Sequence, residues 1–414
     1  MSELAVSLYG TRIGALVGRG RDFDFVITPE AIERFGLDSQ ILSLAIPLAP
    51  RAPRGRKARR QNFFSELLPE GMMRQRLADE AGVSAADVIG LLRRYGRDVA
   101  GALEIWDPTA PGEPPTPGLE PLDDAGVARA LRDVARFPLA NKPMGGKTSL
   151  NGVQDKIVLV HDQRSGAWAR ALDGYPSTHI LKPVPADHPT IIFDEEYGSR
   201  FARALGLASF TTEIREFDGV SALVIERYDR VSSSNGVPVR LHQEDFNQVL
   251  GASGDQKYQR YGGHVSLSRI AKELAQAGAV EAVRRLALTT VLAVAVGNLD
   301  MHAKNISLLH PAGGVLRLAD AYDVVPQVHL PNDGEMALAV DGVYRHAAIA
   351  RASLEREFES WGVPAADVLV TAALETVLGV AQGEQPDERA HPSLREDILM
   401  FADNLLVGRP AGAR

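Results

Sequence analysis

The chain has 414 residues, 45% of them hydrophobic and 24% charged, which is too long for one ordinary core and excludes extensive disorder. A net charge of −8 excludes a surface that binds nucleic acid as a whole, and the absence of cysteine excludes disulfides, thiolate nucleophiles and cysteine-based zinc sites. Two or three domains in a reducing cytoplasm are expected: "MSELAVSLYG" has no signal-peptide pattern, and the apolar run at 286–296 is too short to cross a bilayer.

The chain opens with "LAVSLYG" and "DFDFVIT", whose period of two predicts half-buried strands of a small first sheet. "RAPRGRKARR", Arg51 to Arg60, carries six cations interrupted by Pro and Gly and reads as a solvated loop, with a partner-binding or nucleic-acid role as the alternative. "NFFSELLPEGMMRQRLADEAG" and "SAADVIGLLRRYG" follow with helical spacing, and Ser84 is the expected N-cap of the second. "DPTAPGEPPTPGLEPLDD" lacks periodicity and is rich in Pro and Gly, so it reads as a linker.

Beyond the linker, "KIVLV", "THILKPV", "TTEIREF" and "SALVIERY" predict a second sheet, with "DEEYGSRFARALG" as a helix between its strands. From about residue 264 the pattern is mainly helical. The fold class is therefore α+β: a β-rich subdomain at 1–107, a linker at 108–124, a sheet-bearing lobe at 125–262 and a helical lobe at 263–414.

The chemistry concentrates in "GNLDMHAKN" at 297–305, directly after "LALTTVLAVAV". Asp300 and Asn305 fit the D-x-x-x-x-N spacing of a kinase catalytic loop, in which Asp accepts a hydroxyl proton and Asn binds a metal. A capped helix end followed by a turn explains the same residues. Asp323 in "LADAYDVVP" is either a second metal-binding carboxylate or a turn residue ahead of Pro326.

Upstream, Lys182 ends a strand, and the helix that follows begins with Glu195 and Glu196. A strand lysine oriented by a helix glutamate suits a nucleotide phosphate site; a surface lysine and dipole-favoured acids are the plain alternative. "ALVIERYDR" turns polar at Glu226, near Tyr228, and its exposed backbone suits an adenine edge, although a strand exit would read the same way. "TSLNGVQDK" carries Ser149, Gly152, Gln154 and Lys156 ahead of a strand, with one glycine as a thin signal for a phosphate cradle.

Taken together, "FFSELLPEG", "SLNGVQDK", "THILKPV", "IERYDR", "HQEDFNQVLG", "GNLDMHAKN" and "YDVVP" resemble, in order and over nearly the whole chain, the HipA family of serine/threonine kinases, the toxins of HipA/HipB pairs. The resemblance implies a β-rich N-terminal subdomain on a two-lobed, protein-kinase-like core with a mostly helical C-lobe. It implies ATP and magnesium as cofactors, Asp300 as catalytic base, Asn305 and Asp323 as metal ligands, Lys182 as the phosphate-binding lysine with Glu196 orienting it, and Ser149 as an inhibitory autophosphorylation site. Gly152, Gln154 and Lys156 would lie near the triphosphate, Glu226 and Tyr228 near the base, and His302 and Lys304 would orient phosphate.

The implied partners are a HipB-like DNA-binding antitoxin, with DNA reached only through it, and a protein substrate such as an aminoacyl-tRNA synthetase, glutamyl-tRNA synthetase being the best-known kind. No membrane partner is expected. Leu299 departs from the small polar residue common at its position, and the Arg51 to Arg60 segment has no assignment from the family. An antitoxin-bound co-repressor in which catalysis is secondary, and a small-molecule kinase, are the alternatives.

Overall fold

The computed structural model describes all residues except 1, 51–55, 114–115, 135–138, 140–148, 150–153, 163, 234–235 and 414. The chain forms two compact units, and both are assembled from separated segments. The first holds Met1–Pro183, Arg215–Glu244 and Leu309–Gly314; the second holds Val184–Ile214, Asp245–Leu308 and Val315–Arg414.

In the first unit, β1 (Ser2–Leu8), β2 (Thr11–Arg19) and β3 (Asp22–Ile27) form an antiparallel meander, and β4 (Leu103–Trp106) adds beside β1, giving the order β3-β2-β1-β4. The helices α1 (Pro29–Phe35), α2 (Lys57–Ser65), α3 (Gly71–Ala81) and α4 (Val88–Tyr95) lie between β3 and β4 in sequence. Their apolar faces close on the sheet through Phe23, Phe25, Phe63, Phe64, Leu77, Leu92 and Tyr95, all essentially inaccessible. Phe25 and Phe64 meet at a centroid separation of 5.1 Å, worth about 0.5–1.5 kcal/mol beyond the area they bury.

Two expectations change here. Asp87, not Ser84, caps α4: its carboxylate accepts the Gly90 N–H at 2.8 Å, whereas the Ser84 hydroxyl accepts from Ala86, one turn too early. The described part of the basic segment is not a solvated loop. Residues from Lys57 on are helical, and Arg60 is buried with its guanidinium 2.6 Å from Asp24, because the Phe63–Phe64 pair on the same helix pulls that turn onto β3. Arg51 to Gly55 lie outside the described residues.

The second sheet of this unit has the order β5-β7-β6-β8-β10-β9, built from β5 (Gly118–Leu122), β6 (Ile157–Asp162), β7 (Ala167–Leu172), β8 (His179–Pro183), β9 (Thr212–Phe217) and β10 (Val220–Glu226). Its core is Val127 and Leu131 from α5 (Asp124–Arg132) against Ile157, Leu159, Trp168, Leu181, Phe217 and Val224. Within the stretch read as a linker, Gly118–Leu122 is strand β5, paired with β7, and Asp123 caps α5 through Gly126. The short strands β11 (Arg230–Val231), β12 (Val239–Arg240) and β13 (His242–Asp245) follow.

The second unit contains α6 (Ile191–Ala204), α7 (Phe246–Leu250), α8 (Leu267–Gln276), α9 (Val280–Val296), α10 (Arg351–Ser360), α11 (Ala366–Gly383) and α12 (Leu394–Leu406), with β14 (Ser307–His310), β15 (Arg317–Leu318) and the hairpin β16 (Glu335–Val340) and β17 (Val343–Arg345). The run that first marked the site is α9, apolar around most of its circumference because it is the central helix, packed by α6, α8, α11 and α12. By length and composition α11 is the one helix among the described residues able to cross a membrane; here it packs on α6, α9, α10 and α12, as a core helix does.

Candidate functional site

The site begins where α9 stops. Gly297 ends the helix at φ +70°, a left-handed cap that an L residue resists, and the space a Cβ would need is taken by Val328. The Gly297 carbonyl then accepts the Gln327 N–H at 2.8 Å, which fixes the start of "GNLDMHAKN" against the segment that follows Asp323. Asn298 donates to the Asp323 carbonyl at 3.3 Å. Two loops separate in sequence are thus bound to each other before any ligand is considered.

Asp300 stands half-exposed, with 44% of its side chain accessible, while His302 beside it is buried at 9% and its Nε2 lies 3.9 Å from Asp300 Oδ2. Tyr258 donates its hydroxyl to Asp300 Oδ1 at 3.0 Å. Lys304 and Asn305 lie on a 3-10 turn, Ala303–Asn305, braced by α7: Asp245 and Gln248 form a reciprocal capping box, and Phe246 N–H donates to the Ile306 carbonyl. Lys304 is buried, and its carbonyl accepts from the Tyr322 hydroxyl at 2.6 Å.

Asn305 points its amide nitrogen at Asp323 Oδ2, 3.3 Å away, while its Oδ1 is buried with no hydrogen-bond partner among the described residues. An unsatisfied buried amide oxygen costs about 1–3 kcal/mol, so something outside the chain is expected to satisfy it. Asp323 holds φ +51°, a strained conformation for a residue with a side chain. It is held there by packing: α6 passes so close that a Cβ at Gly198 would collide with the Val324 carbonyl. Asn305 and Asp323 carry the amide and carboxylate oxygens that a hard divalent cation takes, although here the amide turns its nitrogen to the carboxylate. No group of three His, Asp or Glu side chains among the described residues offers another metal site.

The other expected residues distribute between the units. Lys182 on β8 and Lys156 just before β6 are buried in the first unit, and Gln154 there has a buried amide nitrogen with no hydrogen-bond partner among the described residues. Gly152 lies outside the described residues. Glu196 is buried on α6 in the second unit and accepts three hydrogen bonds from Arg200, one turn on, the shortest 2.7 Å. Glu195, equally buried, precedes it on the same helix.

Glu226 ends β10. β10 is an interior strand between β8 and β9, Glu226 pairs with His179, and the Arg227 N–H donates to Thr178. Tyr228 donates to the Gln243 side chain. Ser149 is fully buried; its hydroxyl donates to the Leu67 carbonyl at 3.0 Å and its N–H to the Asp98 carbonyl at 2.9 Å.

Sequence reasoning missed what surrounds that serine. Asp98, Arg227, Asp229 and Arg230, each at most 7% exposed, form one buried ion network: Arg230 to Asp98 at 2.8 Å, Arg227 to Asp229 at 2.8 Å, and Ser177 to Asp98 at 2.6 Å. Burial would raise the Asp98 carboxyl, but Arg230, Arg227 and Arg240 outweigh it and hold the group below its ordinary range; Asp229 is depressed further by Arg227 and Arg230. The alternation of Arg and Asp in "ERYDR" was the available signal. Its partner Asp98 lies more than a hundred residues away and gives none.

Residues 148–381 match the HipA-like C-terminal domain, and residues 4–106 match the HipA N-terminal domain. The Sinorhizobium fredii protein Y4mE is 36% identical over 301 residues, 71% of each chain. A serine/threonine-protein kinase toxin HipA from Shewanella oneidensis is 28% identical over 335 residues, 77% of this chain and 76% of that one. Among solved structures, a complex of Shewanella oneidensis HipA with HipB and operator DNA matches with a TM-score of 0.77 at 25% identity, covering 98% of this chain and 96% of that one.

Proposed function

Because the chain belongs to the HipA family of serine/threonine kinase toxins, we propose that it phosphorylates a serine or threonine of a protein substrate, using ATP and magnesium. The observation that carries this reading is that Asn305, whose amide oxygen is buried without a partner among the described residues, sets its amide nitrogen against Asp323, in the loop that also bears Asp300. Asp300 acts as general base: the substrate oxygen bonds to the γ-phosphorus, the bond to the β,γ-bridging oxygen breaks with its electron pair leaving on ADP, and Asp300 takes the hydroxyl proton. Asn305 and Asp323 would hold magnesium, which would supply charge neutralisation on the phosphates.

Lys182 and Lys156 contribute positive charge toward the phosphates, Gln154 and Gly152 serve the triphosphate as well, and Glu226 and Tyr228 serve the adenine side. His302 and Lys304 orient phosphate. The lysine-orienting role of Glu196 requires one of its oxygens to leave Arg200. The chain divides functionally as an N-terminal subdomain to residue 107, a connection to 124, an ATP-binding lobe to 262 and a catalytic lobe beyond, in the cytoplasm.

Ser149 is the proposed autophosphorylation site. As it stands the hydroxyl is fully buried and bonded to Leu67, so modification requires the segment to leave its anchor. A phosphate of charge near −2 then has no room to return beside Leu67, which turns a single transfer into lasting inhibition. The substrate is proposed to be a translation component of the aminoacyl-tRNA synthetase class. A HipB-like antitoxin is the proposed partner, and with a chain charge of −8 that antitoxin would supply most contacts to DNA phosphates.

The test is intact mass and peptide mapping after incubation with Mg-ATP, in parallel with Asp300→Ala. Phosphate at Ser149 in the parent alone is the expected result. Equal incorporation in both proteins sinks the assignment of Asp300. Repression of the operator by the chain with its antitoxin should survive Asp300→Ala, because docking does not use the base.

A further inference from the structure

Tyr258 has no assignment in the reading above. It follows the 3-10 turn Gly254–Lys257, whose start is fixed by a capping box between Ser253 and Gln256. Its ring stands edge-on to His302, centroids 5.3 Å apart, and its hydroxyl reaches Asp300 Oδ1 at 3.0 Å. The partner distance alone would be unremarkable on a mobile loop. This loop is tied down at the next residue: Gln259 N–H donates to the Ala337 carbonyl at 3.0 Å, and the Gln259 side chain accepts the Ala339 N–H at 2.9 Å.

The same β16 residue also holds the other arm. Ala337 N–H donates to the Leu299 carbonyl at 2.8 Å, one residue before Asp300. Tyr258 and Asp300 are therefore each one residue away from a backbone hydrogen bond to the same residue, Ala337, and their separation is set by a strand and not by two independent loops. This arrangement fixes something the Asp300 backbone cannot. The terminal torsion of an aspartate is broad and twofold, and a hydroxyl bonded to one oxygen narrows it for a carboxylate that is 44% exposed.

We propose that Tyr258 is a positioning residue for phosphoryl transfer: by holding Asp300 Oδ1 it aims Oδ2, on the side of His302, at the substrate hydroxyl. The inference rests on Asp300 being the base. A base held in near-attack geometry gains rate through orientation without changing how tightly ATP binds, so the effect falls on kcat and not on KM.

The experiment follows ADP formation from Mg-ATP by the full-length chain for the parent, Tyr258→Phe, Asp300→Asn and the double variant. Tyr258→Phe keeps the ring against His302 and removes one oxygen; kcat should fall about tenfold with the KM for ATP within about twofold, and in the Asp300→Asn background the substitution should cause no further loss. Parental kcat in Tyr258→Phe, with Asp300→Asn inactive, overturns the Tyr258 role alone. A full additional loss in the double variant overturns it too, since Tyr258 would then act without Asp300. Parental turnover in Asp300→Asn removes the base itself and with it the premise. Gln259→Ala, which loosens the loop but keeps the tyrosine, should lower kcat in the same direction; if Tyr258→Phe proves unstable, parental kcat in Gln259→Ala decides against the inference.

Discussion

Two polar clusters of this molecule contain similar residues and behave in opposite ways. Around Asp98 and Asp229 every carboxylate oxygen has a donor: Arg230 and Ser177 on Asp98, Arg227 and the Gly101 N–H on Asp229. Around Asp300, Asn305 and Asp323 one carboxylate is half-exposed, one amide oxygen is buried without a partner among the described residues, and one residue is held at φ +51°. A buried network whose carboxylate oxygens are all paired acts as a structural tie, even with the Arg230 Nε left without a partner among the described residues. An unsaturated, strained one is maintained at a cost in stability, and only binding or chemistry recovers that cost.

Substitutions should separate the two clusters cleanly. Asp300→Asn should lower phosphoryl transfer by about 10³-fold while the urea midpoint stays near parental, because the side chain is half in water. Asp98→Ala should do the reverse, costing about 3–5 kcal/mol in urea unfolding because it leaves buried Arg230 and Arg227 uncompensated. A midpoint shift of less than about 1 kcal/mol there would mean the network is not the tie it looks to be.

Asn305→Ala removes an acceptor that the free protein leaves unsatisfied, so stability should hold or rise by about 1 kcal/mol while the magnesium needed for half-maximal activity rises at least about tenfold. Magnesium titration of activity beside a melting curve reads both. A parental magnesium requirement would remove Asn305 from the metal set.

The smallest effect concerns pH. His242 is fully buried, its Nε2 set against the Leu42 carbonyl at 2.7 Å, and burial with nearby His310 lowers its pKa to about 3. The unfolded chain takes up the proton near the ordinary histidine value and the folded chain does not. The stability from this group is therefore full above the ordinary value and declines as pH falls from there toward 3, by about 1.4 kcal/mol per unit. Urea midpoints at pH 7 and 5.5 should differ less in His242→Gln, which keeps a donor toward Leu42, than in the parent. An unchanged difference would assign the acid sensitivity elsewhere.

Much of this could be read from the chain, and the failures have specific causes. The period-two runs placed β1 and β3, and "LALTTVLAVAV" ahead of "GNLDMHAKN" placed a buried helix ending at polar groups. Ser84 was mistaken for a cap because propensity ranks serine and aspartate alike at that position, and only the turn geometry decides between them. The basic segment looked solvated because its composition is polar, whereas the adjacent Phe63 and Phe64 determine where Arg60 goes.

The sequence alone therefore determined β1, β3 and α9, the order of the motifs and the family, because periodicity and motif spacing are local and survive without coordinates. Tertiary structure decided which polar groups are saturated: Asp98 meets Arg230 across 132 residues and Asn305 meets Asp323 across 18, while Tyr258 finds Asp300 through a shared hold on Ala337. Hydrogen-bond satisfaction depends on partners distant in sequence, and no local pattern encodes it.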